Sequence, residues 1–298
     1  MTPSYLGRPR MLVGYDGSDD ACAALRYAVK EALAVDAELA LVYAVDDTVL
    51  NSVWGVVFDP EEIKENAEVM IQEALADIEA LGVDSDSVRT EIVLGNPASA
   101  LAKYSEFASK VFLGRCSESK DESEFAGSTA VGVAGTASCP VVIVSAKNEP
   151  GSQPFGKIGV GVNIGAKGRR GLPWAMQEAK RIDAELRIIS VIRVATRGLL
   201  RSGSTLSPEQ RDDAMKVARI RVESIRKSLT EKYPGVVSEI EIEFGSPVDY
   251  LVKRSGELDY LVLEVQSSFP SNSVGGVTRG VMAHAKCPVV LIRAKSTR

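Results

Sequence analysis

Short apolar runs rich in β-branched residues alternate along the whole chain with longer stretches whose apolar positions recur every three or four residues. That alternation predicts strands buried in a parallel sheet, each followed by a helix laid over it. Met11 to Tyr15 reads as a first strand, and Ser18 followed by Asp19 and Asp20 opens a helix whose apolar face carries Leu25, Ala28, Val29, Ala32 and Leu33. Leu39 to Val45 is a second strand. A long helix starts near Pro60, with Ile63, Ala67, Met70, Ile71, Ala74, Leu75 and Ile78 on one face. Arg89 to Leu94 is a third strand, and Gly95-Asn96-Pro97 turns into a helix carrying Leu101, Ala102 and Tyr104. Val111-Phe112-Leu113 is a fourth strand, Gly127-Ser128 begins another helix, and Val141 to Val144 closes the series.

The same order returns from Ile158 to Ile292. Asp36-Ala37-Glu38-Leu39 recurs as Asp183-Ala184-Glu185-Leu186, Gly95-Asn96-Pro97 as Gly245-Ser246-Pro247, and Cys139-Pro140-Val141-Val142 as Cys287-Pro288-Val289-Val290. The offsets are 147, 150 and 148, so the register slips by only a few residues over a whole domain. This is an internal duplication, with domains expected at 1–148 and 154–298 and the Pro/Gly/polar stretch between them as linker. The predicted fold class is α/β. Two tandem doubly wound domains are expected, each a five-stranded, mostly parallel sheet flanked by helices, the pair related by a pseudo-two-fold. Gly159-Val160-Gly161-Val162-Asn163-Ile164-Gly165 mimics a dinucleotide fingerprint, but its spacing is wrong and its first glycines align with the first copy's strand, so it is read as a strand.

Composition narrows the function. The four cysteines include no CxxC pair, and Cys139 and Cys287 are one position in two copies, which fits structural thiols in a reducing compartment. The single histidine, His284, excludes a histidine-rich metal site and works against a histidine-based triad. With no apolar signal core and no stretch long enough for a span, a cytoplasmic protein without membrane contact is expected. The net charge of −5 hides a division: residues 1–150 hold 11 Lys and Arg against 25 Asp and Glu, a net of −14, and residues 151–298 hold 24 against 15, a net of +9. Lys and Arg of the basic half alternate with acids and form no aromatic-interleaved patch, so nucleic acid is not the expected partner. Opposite charge favours docking of one half on another. Lys167, Arg169 and Arg170 form a basic cluster before the next helix, with a solvated face as its simplest reading.

Candidate chemistry gathers at the predicted strand ends of the first copy. Asp16-Gly17-Ser18 follows strand one; Gly114-Arg115-Cys116-Ser117 follows strand four and leads after nine residues to Gly127-Ser128-Thr129. Glycine lets backbone approach a phosphate, and a helix start offers free amides and the positive dipole end. The Val-Gly-Tyr-Asp-Gly-Ser start, the Gly-Asn-Pro turn, the loop from Gly114 to Ser128 and the Cys-Pro-Val-Val ending resemble the universal stress protein family over essentially the whole chain. ATP-binding members of that family carry glycine, two residues, glycine, nine residues, then glycine and Ser or Thr. Gly114, Ser117, Gly127 and Ser128 stand at those places, with serine replacing one glycine.

The resemblance implies an ATP site in the first domain: Asp16 near the nucleoside, Ala44 near the base, and Gly114, Arg115, Ser117, Gly127, Ser128 and Thr129 around the phosphates. The acids Glu118, Asp121, Glu122 and Glu124 in the connecting loop call for magnesium beside a triphosphate. In the second domain Asn163 replaces Asp16, Glu264 replaces Gly114, and Glu264 to Gly275 spans 11 residues against 13 from Gly114 to Gly127, so that domain is expected to be degenerate and non-binding. Trp54, Val56, Val57 and Phe58 form an apolar loop read as packing surface. The last strand of each domain is expected to pair with the other as an intramolecular pseudo-dimer, leaving helical and loop faces for a homodimer. The expected function is a stress-response binding or signalling module rather than an enzyme. The alternatives are a protein-interaction scaffold with empty sites and a slow ATPase that lacks a phosphate-loop lysine.

Overall fold

In a computed structural model, the residues described are 8–45, 60–116, 126–148, 155–165, 170–193, 207–265 and 274–294. The chain divides into two compact units, one drawn chiefly from its first half and one from its second. The linker stretch 149–154, Ser117 with the acidic loop, the Trp54–Phe58 loop, and Lys167 with Arg169 lie outside the described residues.

The first unit runs β1 (Arg10–Tyr15), α1 (Asp19–Val35), β2 (Glu38–Val45), α2 (Pro60–Ala80), β3 (Arg89–Leu94), α3 (Pro97–Tyr104), β4 (Lys110–Gly114), α4 (Ser128–Thr136) and β5 (Val141–Val144). Its sheet order is β3-β2-β1-β4-β5, with all four pairings parallel. Apolar residues occupy both faces of the central strands: Leu12, Leu41 and Phe112 are at most 1% exposed. On α1 the buried stripe is Ala21, Ala24, Leu25, Ala28, Val29 and Ala32, and these small residues let the helix lie close to β4. Winding reverses between β1 and β4, which brings the loops that follow those strands side by side at the C-terminal edge of the sheet.

The second unit repeats the series as β6 (Lys157–Gly161), α5 (Gly171–Ile182), β7 (Glu185–Ile192), α6 (Pro208–Thr230), β8 (Ser238–Phe244), α7 (Pro247–Ser255), β9 (Tyr260–Val265), α8 (Gly276–His284) and β10 (Val289–Arg293). The sheet order is β8-β7-β6-β9-β10, again all parallel. Gly159 and Gly161 both lie in β6, in agreement with the strand reading.

Each repeated sequence fragment has a local physical reason. Asp36 and Asp183, at φ 51° and 53°, end α1 and α5 in the left-handed region that aspartate tolerates. Gly95 and Gly245 sit at φ 137° and 146°, after which Asn96 and Ser246 cap α3 and α7 through the amides of Ser99 and Asp249. The Cys-Pro ending follows a shared clamp: the Ser105 hydroxyl accepts the Ser138 amide at 2.9 Å, and the Ser255 hydroxyl accepts the Lys286 amide at 2.8 Å. Burial pushes the Cys139 thiol up to about 12 and the Cys287 thiol upward as well.

Candidate functional site

The loops that follow β1 and β4 are organised by carboxylates. Asp16 Oδ1 accepts from the Ser18 amide at 3.1 Å and from its hydroxyl at 2.6 Å, while the Ser18 hydroxyl caps α1 through the Ala21 amide at 3.2 Å. The Asp16 carboxylate also raises the Tyr43 phenol, second to the effect of burial. From the first turn of α1, Asp20 reaches the other way. Its Oδ2 accepts the Cys116 amide at 3.1 Å, its Oδ1 accepts the Ala146 amide at 2.7 Å, and the Arg115 guanidinium lies 3.8 Å off. One side chain thus ties the ends of β4 and β5 to α1.

Gly114 is explained by that helix. A Cβ added there would lie 2.7 Å from the Ala21 nitrogen and 2.8 Å from the Asp20 carbonyl carbon, so the glycine admits the α1 backbone. Helix packing thus gives Gly114 a structural reason of its own. The amides on either side of the proposed phosphate position are also engaged: Arg115 donates to the Val144 carbonyl at 2.8 Å, and Cys116 to Asp20.

The second unit solves the same junction with its carboxylate on the opposite partner. Strand register pairs Ile292 with Glu264 as it pairs Val144 with Gly114, which confirms the correspondence. Glu264 Oε2 accepts the amides of Arg170 at 2.8 Å and Gly171 at 3.1 Å, so it closes the N-terminus of α5 from the strand side. A Cβ added at Gly171 would lie 3.5 Å from the Glu264 Cβ, an ordinary contact. Asn163 keeps the turn made by Asp16, accepting the Gly165 amide at 3.0 Å through Oδ1. Two of the three grounds for expecting a degenerate second unit thus have a structural origin: Glu264 caps a helix, and Asn163 performs the same turn as its aspartate counterpart.

At the remaining junction both units agree. The helix that follows the fourth strand starts after Gly127 in one and Gly275 in the other, and among the described residues no side chain caps either start. The neighbouring starts on the same sheet edges are capped: α1 by Ser18, α3 by Asn96, α5 by Glu264 and α7 by Ser246. Uncapped first-turn amides and the helix dipole together suit an anion. Ser128 is exposed and Thr129 half-buried at the start of α4, and the Gly127 amide donates to the Arg115 carbonyl at 2.9 Å. Ala44, half-buried near the end of β2, pairs with Val93. Asp16, Gly114, Arg115, Gly127, Ser128 and Thr129 therefore stand at the ends of β1 and β4 and the start of α4, and Ala44 near the end of β2. Ser117 lies outside the described residues.

In the second unit the C-terminal edge holds an open cleft of about 670 Å³, within the range of small-molecule sites. Ile189, Ile225, Leu251 and Leu263 give it apolar walls, and Asn163, Arg193, Glu264 and the segment Gly275–Thr278 supply the polar part. Sequence reasoning finds neither this cleft nor the bracing by Asp20. The signal for the second was present, since Asp20 opens α1 beside a position that is glycine in one copy and glutamate in the other. Among the described residues no cluster of three or more His, Cys, Asp or Glu is arranged to hold a metal, and no helix is long and apolar enough to cross a membrane.

Comparison with known proteins agrees with the architecture. A model of the universal stress protein family matches residues 7–145 and again residues 154–293. A universal stress protein of Mycobacterium tuberculosis is 27% identical over 290 residues, covering 95% of this chain and 96% of its own length. Another, of Mycolicibacterium smegmatis, is 24% identical over 294 residues, with coverage of 96% and 97%. The crystal structure of a universal stress protein from Archaeoglobus fulgidus superposes with a TM-score of 0.67 at 20% identity, covering 97% of each chain, and so shares the fold. The chain belongs to the universal stress protein family and carries that family's domain twice.

Proposed function

We propose that this member of the family is a stress-response binding module that responds to adenine nucleotide, with ATP and magnesium held at the C-terminal edge of its first unit. The observation that carries the reading is the start of α4, which among the described residues has no side-chain cap on an edge where α1 and α3 have theirs. With the Arg115 and Cys116 amides already engaged, the phosphates fall to the first-turn amides and hydroxyls of Ser128 and Thr129. Asp16, exposed and held by Ser18, faces the sugar as an acceptor, and Ala44 lies near the base. Asp16, Asp19 and Asp20 make this edge acidic, which is the reason a divalent cation accompanies the triphosphate. The metal's contribution is neutralisation of phosphate charge; the chain's own residues position the ligand.

The test is a thermal-shift titration of the full chain with ATP and magnesium, coupled to a phosphate-release assay. A saturable rise in melting temperature without phosphate release is expected, and Gly127→Glu abolishes it by placing a carboxylate at the α4 start. Gly127 sits at φ −57°, so the substitution is compatible with the backbone. No shift at millimolar nucleotide sinks the reading; release of phosphate in proportion to enzyme makes the protein an ATPase instead.

A further inference from the structure

The long helix between the second and third strands occurs in both units, as α2 and α6, and the repeat extends to residues that the fold itself does not need. Their buried stripes align at an offset of 151: Ala67 with Ala218 and Ile71 with Val222, all at most 5% exposed. The same offset sets Val69 on Ile220. These two lie on the solvent side, 56% and 68% exposed, and Val217, one turn before Ile220, is 48% exposed. A β-branched residue inside a helix lowers helix propensity, and in water it gains no burial in return. One such residue is ordinary, but the same position kept β-branched and exposed in both copies fits a surface that something covers.

Around this repeated pair the charge is inverted. Glu65 and Glu68, next to Val69 on α2, correspond at the same offset to Lys216 and Arg219, next to Ile220 on α6, and all four side chains are exposed. Spacings of three and four residues place Glu65 beside both Glu68 and Val69 on the helix surface, and Lys216 beside both Arg219 and Ile220. The whole helices follow the same division: α2 holds one lysine against seven acids, a net of −6, and α6 holds six Lys and Arg against four acids, a net of +2. Lys64 pairs with Glu68 at 3.6 Å and Lys216 with Asp213 at 3.8 Å. Both are exposed pairs of small worth, which a docked partner replaces at little cost.

We propose that α2 of one chain docks on α6 of a second copy of this protein, with Val69 against Val217 and Ile220 and the acids of α2 against Lys216 and Arg219. A second copy is the occupant because every chain carries both halves of the match. Two α2 helices repel each other through Glu65 and Glu68, and two α6 helices through Lys216 and Arg219, so the contact joins unlike surfaces. Such a contact closes as a dimer that makes it twice or extends as a chain, and either form grows with concentration. A helix laid on a helix is at the low end of interface size, and dissociation at about 10–100 μM is expected. Nucleotide has no part in this contact, so its fate is independent of the reading of the first unit.

The experiment is sedimentation equilibrium of the full chain without nucleotide. Self-association is expected at about 50 mM salt and is expected to weaken at least about tenfold at about 500 mM, where charges more than a few ångströms apart are screened. One double variant, Glu65→Lys with Glu68→Lys, makes both helices basic; the other, Lys216→Glu with Arg219→Glu, makes both acidic. Each alone is expected to stay monomeric with an unchanged melting temperature, since all four side chains are exposed. An equimolar mixture of the two is expected to associate again, because each variant then meets the opposite charge on its partner. Ile220→Ser, which removes apolar area and no charge, is expected to weaken the unmodified contact severalfold. The proposal falls if the unmodified chain is monomeric throughout, if its association ignores salt, if either double variant associates as before, or if the mixture stays monomeric. The last result would also exclude a second copy in favour of a contact made within one chain.

Discussion

The two units build the same junction with the charge on opposite partners. In the first, a carboxylate on the helix, Asp20, reaches the strand ends, and Gly114 on the strand makes room for it. In the second, a carboxylate on the strand, Glu264, reaches the amides at the helix start. Across this contact the carboxylate is exchanged between helix and strand. The difference between Gly114 and Glu264 thus has a role within the scaffold of each unit.

The exchange can be broken most severely by giving the first unit both acids. Gly114→Glu forces a side chain into α1 backbone and sets two carboxylates together, for an expected loss of about 3 kcal/mol by urea unfolding. A near-neutral result would show that α1 does not rest on Gly114. Removing the bridge is the next largest effect: Asp20→Ala takes away the carboxylate that accepts the Cys116 and Ala146 amides and lies beside the Arg115 guanidinium, at about 2–3 kcal/mol. Glu264→Ala should cost less, about 1–2 kcal/mol, because it uncaps one helix start without untying two strand ends. Equal losses for the two alanine variants would remove the distinction between a bridge and a cap.

Smaller effects sharpen the likeness. Asp16→Asn and Asn163→Asp are each expected to change stability by less than about 0.5 kcal/mol, since both residue types accept the turn amide through one oxygen. The cysteines of the two Cys-Pro endings give a shared pH dependence. The Cys139 thiol titrates near 9.0 when unfolded and is pushed up to about 12 by burial, so its contribution is intact below pH 9 and is lost as pH rises towards 12. Cys139→Ser and Cys287→Ser should each flatten that alkaline loss in chemical-denaturation curves, and an unchanged slope would assign it to other groups.

The fold was legible because its signals are local. Strand runs, the Gly-Asn-Pro and Gly-Ser-Pro turns, and the Asp that ends α1 and α5 each act through a few neighbouring residues, and the duplication supplied every one of them twice. The candidate site was legible only in outline. Asp16, Gly127 and Ser128 lie at the expected strand and helix ends, but the job of Gly114 depends on Asp20, 94 residues earlier, and that of Glu264 on two amides 93 and 94 residues away. Contacts of that span carry no periodicity, so the family spacing gives no sign of the helix contacts these two residues make. The cleft of the second unit was hidden for a related reason, since its walls come from strands and helices distant in sequence.

The most direct test of the first unit's site is native mass spectrometry of the full protein titrated with magnesium ATP. Bound ATP that is lost in Gly127→Glu is the predicted result. No bound nucleotide at millimolar magnesium ATP, or binding unchanged in Gly127→Glu, would contradict the account.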